Sequence, residues 1–188
     1  MATDGSKLDI TTRILHLGLA LFGIAAWWTG EDANDFTHPD HGGYSLHLWL
    51  GIGMALFVTL RLVWGVAGPA EARFSEWVPW NAARMRLVVD DVKSLFKLRL
   101  PERESHAGLA GLVQALGLAL FTLLAASGVV MSMVIVPGER LTGWAHTLKE
   151  THEAAGEAIP VYLVLHIGAV VAHSIMGKQV WKKMLFME

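Results

Sequence analysis

Four long apolar stretches constrain this chain more than any other feature of its sequence. With their polar flanks they cover residues 10–29, 46–66, 107–134 and 154–177. About 20 mainly apolar residues are needed to cross about 30 Å of hydrocarbon. None of the stretches has an Asp, Glu, Lys or Arg in its middle, whereas a helix of a soluble all-α bundle keeps a polar face. We therefore expect an all-α fold, an integral membrane four-helix bundle that forms one domain over residues 1–188.

The basic residues predict how the spans are oriented. Thirteen of the 15 Lys and Arg residues lie among the first 13 residues, between residues 61 and 105, or in the C-terminal tail. Those three regions lie on one side of a four-helix bundle, and the other side has only Arg140 and Lys149. Because cytoplasmic loops carry the excess of positive charge, both termini are predicted to be cytoplasmic. In a bacterium the chain would be a multi-pass protein of the inner membrane.

The inner loop between the second and third spans contains a basic segment, from Arg84 to Lys97. Its apolar residues recur near helical spacing, with basic residues between them. This pattern predicts a short amphipathic helix that lies on the membrane lipid, after a turn over Trp77–Trp80.

Composition excludes several classes of site. The sequence has no cysteine, which excludes disulfides, thiolate zinc sites, iron–sulfur clusters and covalently attached c-type haem. The formal net charge of -2 argues against nucleic acid as a partner, since such proteins usually present a basic surface. Metal chemistry in this chain must therefore use imidazole.

Histidines associated with the spans are the candidate functional residues, because ionisable groups in membrane helices are costly. They are His16, His47, His152, His166 and His173. His166 lies 14 positions after His152, which corresponds to about 21 Å of helix, and both rings fall on one face. His16 lies near the inner end of its span and His47 near the outer end of its own. Two cross-helix pairs follow, His47 with His152, and His16 with either His166 or His173.

Two imidazoles without a third ligand suit a haem, whose macrocycle already supplies four nitrogens. A zinc site would need more protein ligands or an open water position. Glycines on the same helices would make room for the ring, although glycine is also frequent where membrane helices pack closely. These glycines are Gly18, Gly23, Gly51, Gly53, Gly156 and Gly168.

Motifs in all four spans resemble those of the bacterial cytochrome b561 family, which is grouped with the cytochrome b subunits of nickel–iron hydrogenases. The resemblance is carried by the segments 13–16, 47–51, 60–65, 106–111, 144–152 and 162–173. It implies four helices, two b haems, and electron transfer between membrane quinone and another redox carrier. By match of position, His16 and His166 would ligate the inner haem, and His47 and His152 the outer one. His173 is the alternative to His166, or a contact for a propionate or quinone.

Other polar residues have two interpretations each. Arg13 and Arg61 would pair with haem propionates, or extend to the phosphates of the inner leaflet. His106 would likewise pair with a haem propionate, or it would assist in protonating a quinone. His38, His41 and His146 are expected in outer surface loops, and Met131 and Met133 in the core.

Three functions fit these observations. The first is a two-haem cytochrome, acting as a quinone oxidoreductase, with a periplasmic cytochrome or a membrane-complex subunit as redox partner. The second is the membrane-anchoring cytochrome b of a hydrogenase-like complex, and the third is a His-based metal or proton transporter. The acidic outer loop over 31–41 would suit a basic partner or is simply solvated. Faces of small residues make a homodimer plausible.

Overall fold

The computed structural model describes residues 9–33, 42–101, 107–136, 141–177 and 180–185. Every regular element within those ranges is a helix, so the expected all-α fold is confirmed. The α-helices are α1 (Ile10–Trp28), α2 (Gly42–Ala67), α3 (Phe74–Trp77), α4 (Ala82–Phe96), α5 (Leu109–Val134), α6 (Gly143–Ile175) and α7 (Val180–Met184). Short 3-10 turns cover Glu31–Ala33 and Ala70–Ala72.

Helices α1, α2, α5 and α6 are long and apolar enough to cross a membrane. Large apolar side chains along them are exposed, for example Leu21, Leu56, Leu116 and Val164. Exposed apolar surface on this scale is unfavourable in water and favourable in hydrocarbon. The expected four spans are therefore confirmed as helices, and α6 begins at Gly143, well before the start expected for the fourth span.

Helix α4 is the expected amphipathic helix. The Asn81 side chain caps it by accepting a hydrogen bond from the Arg84 N–H at 2.9 Å. Val88 and Asp91 are buried on one side. An apolar stripe at helical spacing is exposed on another side, formed by Met85, Val89, Val92 and Phe96. The stripe and the neighbouring basic residues are suited to a lipid surface.

The helices contribute to two compact units. The first contains the described parts of residues 1–13, 62–118 and 163–188. Here Asp9 caps α1 by accepting from the Thr12 N–H at 2.9 Å, and its carboxylate also accepts from the Trp64 indole N–H at 3.2 Å. Asp91 of α4 is 2% exposed and accepts from the Leu109 N–H at 2.8 Å. That N–H belongs to the first turn of α5 and has no carbonyl partner within its own helix.

The second unit contains the described parts of residues 14–61 and 119–162. Aromatic rings pack against glycines in it. A Cβ on Gly18 would overlap the Phe57 ring, one on Gly53 would overlap Phe22, and one on Gly23 would overlap Phe121. These three glycines therefore let helices approach closely. The expectation that they make room for a cofactor stays a prediction.

We expect Asp91→Ala to lower the melting temperature of the detergent-solubilised protein. The substitution leaves the Leu109 N–H without its side-chain acceptor, and loss of such a cap costs about 0.5–2 kcal/mol. Asp90→Ala is the matched control, since the Asp90 side chain is 60% exposed and exposed changes are usually within about 0.5 kcal/mol. Equal melting temperatures for the two variants would contradict the capping role.

Candidate functional site

The structure brings His47 of α2 and His152 of α6 next to each other in the second unit. Their ring centres are 6.2 Å apart and the ring planes are at 87°. Both side chains are half-buried. These residues are 105 positions apart in the sequence, and the cross-helix pairing expected from their depths is the geometry observed.

The ring of His47 is oriented by the end of α1. Its Nδ1 lies 2.9 Å from the carbonyl oxygen of Ala26. Because a carbonyl only accepts, Nδ1 must donate, and in the neutral ring Nε2 then keeps its lone pair. The Ala26 carbonyl is available because α1 ends at Trp28 and the N–H of Gly30 donates to Trp27 instead.

The ring of His152 is oriented by Ser127 of α5. The Ser127 hydroxyl donates to the carbonyl of Leu123 at 2.6 Å, and this uses its single proton. Its oxygen therefore accepts from Nδ1 of His152 at 2.8 Å. Nε2 of His152 again keeps its lone pair. Next to Ser127, Gly128 allows close approach, since a Cβ there would lie 3.1 Å from Cε1 of His152.

The pair fits a metal held from two sides. With an imidazole–metal bond of about 2.0–2.1 Å and a nitrogen about 1.1 Å from its ring centre, two such rings have centres about 6.3 Å apart. The observed 6.2 Å is compatible with this value, as it is with an edge-to-face contact between the two rings. Ligand histidines usually donate their other ring N–H to a carbonyl, carboxylate or water, and both rings have an oxygen acceptor of this kind. The donor set therefore suits two axial imidazoles.

Space for a larger group lies beside both rings. Gly51 follows His47 by one helical turn, and Gly156 follows His152 by one turn. A Cβ at either position would meet no described atom within 4 Å. In this they differ from Gly18, Gly23 and Gly53, which pack against aromatic rings. Each of these two glycines leaves open space one turn from an imidazole, and we call this space the cradle.

The remaining candidate residues divide between the two units. His16 and Arg61 belong to the second unit, and His166, His173 and Arg13 to the first. His16, Arg61, His166 and His173 are half-buried, whereas Arg13 is only 7% exposed. The pairing of His16 with His166 or His173 stays a prediction.

His173 has its own orienting hydrogen bond. Its Nδ1 donates to the carbonyl of Ala169, one turn earlier in α6, at 2.8 Å. Its Nε2 therefore keeps a lone pair, as in His47 and His152. Because its Nε2 can still bind a metal, His173 remains the alternative to His166 as a ligand.

Other sequence expectations have different outcomes. His146 was expected in an outer loop, but it lies in the first turns of α6, where its Nδ1 is 3.4 Å from a Glu150 carboxylate oxygen. Met133 was expected in the core and is 77% exposed. His38, His41 and His106 lie outside the described residues.

Sequence reasoning missed Ser127, Gly128 and the Ala26 carbonyl. The sequence offers little signal for them, because a serine in a membrane helix usually bonds to its own preceding turn. In the part of the chain that the structure describes, no three His, Asp or Glu side chains form a metal-binding group. The functional interpretation of the site therefore depends on the imidazole pair, His47 and His152.

Comparison with known families identifies one that matches the chain. The profile described as prokaryotic cytochrome b561 matches residues 7–187. The chain belongs to this family. No curated protein and no solved structure gave a match. Membership makes the chain a membrane cytochrome b that functions in electron transfer, with haem b as the expected cofactor.

We expect Gly156→Leu to reduce the haem content of the purified protein. The new side chain would fill the open space beside His152, and overpacking of this kind weakens binding about 10- to 100-fold. Ala154→Leu is the control, because Ala154 is exposed on the same helix. Pyridine haemochrome assays count haem per chain, and equal counts in the two variants would show that the cradle is not the haem site.

Proposed function

We propose that this cytochrome carries electrons across the bacterial inner membrane through two b-type haems. It exchanges them with quinone or quinol in the membrane and with a redox partner, either a periplasmic cytochrome or a subunit of a membrane complex. The observation that carries the proposal is the facing pair of imidazoles, His47 and His152, with both Nδ1 atoms engaged and both Nε2 lone pairs retained.

We assign His47 and His152 to the haem on the outer side and His16 and His166 to the inner one, with His173 as the alternate to His166. The absence of cysteine supports haem b, which is held without covalent attachment. Arg13 is assigned to a propionate of the inner haem. It is largely buried, and charge-assisted hydrogen bonds from a guanidinium to a carboxylate are strong. Arg61 is assigned the same role.

A b-type haem, when bound, supplies reversible one-electron chemistry at iron. The chain's own residues bind it and set its properties. The Ala26 carbonyl and the Ser127 hydroxyl keep the ligand rings in one tautomer. The apolar faces of α1, α2, α5 and α6 exclude water, and burial is one of the factors that set the potential.

The surroundings of the outer site support exchange with a second protein. Glu31 and Asp32 follow α1 and are exposed. Glu150 and Glu157, on the helix that carries His152, are exposed as well. Such a surface steers a basic partner toward the site. The distribution of Lys and Arg supports cytoplasmic termini, and with that orientation this end would face the periplasm.

Replacement of single histidines by alanine tests the ligand assignment. We expect two haems per wild-type chain and one per chain in His152→Ala, because one axial ligand of the outer haem is removed. His166→Ala should lose the other haem, and His173→Ala should keep both. Haem counting with low-temperature difference spectra separates the two. Loss in His173→Ala but not in His166→Ala would transfer the inner ligand to His173.

Quinol should reduce the haems without a further protein. In proteoliposomes containing the oxidised wild-type cytochrome, we expect a soluble quinol to produce the absorption bands of reduced low-spin haem. Dithionite reduction gives the full amplitude as reference. Reduction by dithionite alone would exclude the quinone pool as the direct electron donor.

A further inference from the structure

The two imidazoles of the outer pair donate to acceptors of different kinds. His47 donates to a backbone carbonyl, that of Ala26, and His152 donates to the Ser127 hydroxyl. Backbone carbonyls cannot be altered by ordinary substitution, but a serine can. The Leu124 backbone carbonyl also accepts from the His152 ring, so the Ser127 hydroxyl is the one of its two acceptors that an ordinary substitution removes.

The Ser127 hydroxyl is the middle of a hydrogen-bonded chain. Nδ1–H of His152 donates to its oxygen, and its proton goes to the Leu123 carbonyl at 2.6 Å, with Leu124 a second acceptor at 3.2 Å. Ser127 is 4% exposed. Hydrogen bonds in series polarise one another, and the effect is larger where the local dielectric is low. The oxygen is thereby made a better acceptor for the imidazole proton.

The acceptor of His47 is shared with a second donor. The Thr29 hydroxyl lies 3.1 Å from the Ala26 carbonyl and 3.0 Å from that of Ala25. The single Thr29 proton is shared between these two carbonyls, so the Ala26 carbonyl has a second and weaker donor besides Nδ1 of His47 at 2.9 Å. A donor that withdraws electron density from this carbonyl weakens it as an acceptor for the imidazole.

The strength of these bonds affects a metal on the opposite ring nitrogen. When Nδ1–H donates strongly, electron density on Nε2 rises and the ligand becomes more basic. A more basic axial ligand favours ferric over ferrous iron, so the reduction potential falls. Ser127 therefore acts to lower the potential, and Thr29 acts in the opposite direction.

We propose that Ser127 is a positioning residue that lowers the reduction potential of the haem at His47 and His152, and that Thr29 raises it through the Ala26 carbonyl. The inference rests on the proposed function, in that these histidines are taken as the axial ligands. It adds two residues, Ser127 on α5 and Thr29 just after α1, whose hydroxyl groups shift the reduction potential in opposite directions. Neither residue is itself a proposed ligand of the iron.

Other serines in the spans provide the contrast. Ser132 of α5 donates to the Val129 carbonyl at 2.7 Å, and Ser174 of α6 donates to Val170 at 2.9 Å. Both have the ordinary bond of a helical serine to the preceding turn. Ser132 is exposed and lies five residues after Ser127 on the same helix. Ser132→Ala is therefore the matched control.

The experiment is a redox titration of purified wild-type protein, Ser127→Ala, Thr29→Val and Ser132→Ala, after haem counting. The outer haem is the one that His152→Ala removes. We expect its midpoint potential to move positive in Ser127→Ala, negative in Thr29→Val, and not at all in Ser132→Ala. The other haem should stay unchanged in every variant. The EPR g-anisotropy of the outer haem, which follows the angle between the imidazole planes, should also change in Ser127→Ala.

Loss of haem in a variant and unchanged potentials are also informative. Loss of only the outer haem in Ser127→Ala supports the proposal if Ser127→Thr, which keeps a hydroxyl, restores it. Unmoved potentials in both variants, shifts in the same direction, loss of both haems in Ser127→Ala, or failure of Ser127→Thr to restore a lost haem would overturn it. Failure of the proposed function is distinguishable, because the wild-type protein would then contain no reducible haem at all.

Discussion

The hydrocarbon interior of a membrane provides no hydrogen-bond partners, and the rest of this structure depends on that constraint. Backbone groups in the spans must pair within their own helix, which leaves only helices for four apolar stretches. Polar side chains must do the same or find a partner on a neighbouring helix. Ser132 and Ser174 use carbonyls of their own helix, and Thr29 uses those of the helix that it follows. His47 and His152 use groups on other helices, and that requirement holds each ring in one orientation and one tautomer.

The two histidines are thereby oriented in a way that suits the ligand role proposed for them. Each has its Nδ1 proton committed and its Nε2 lone pair retained, and the distance between the rings suits one metal between them. Small residues complete the arrangement in two different ways. Gly18, Gly23 and Gly53 let aromatic rings pack closely, whereas Gly51 and Gly156 leave open space beside the imidazoles. Membership of the prokaryotic cytochrome b561 family gives the chain its function, electron transfer in a membrane.

Much of the fold was predictable because the signals for it are local. Length and hydropathy predicted the spans, and apolar spacing predicted α4. His146 is on the surface as expected, but in a helix rather than a loop, because the polar residues from 143 onward form the first turns of α6 before its apolar stretch begins. The glycines were only partly understood, since nothing in the sequence distinguishes one facing an aromatic ring from one facing open space. Asp91 gave no sign that it would cap α5 rather than remain on the solvated side of α4.

What the sequence by itself determined is the set of membrane helices and the histidines available to hold a metal. Both depend on hydrophobicity and on the period of a single helix, which are read within about 20 residues. Only the tertiary structure decided which atoms orient the ligands. Ala26 and His47 are 21 residues apart and Ser127 and His152 are 25 apart, and each pair lies on two different helices. Which groups meet in this way depends on helix rotation and packing, and no local pattern encodes those quantities.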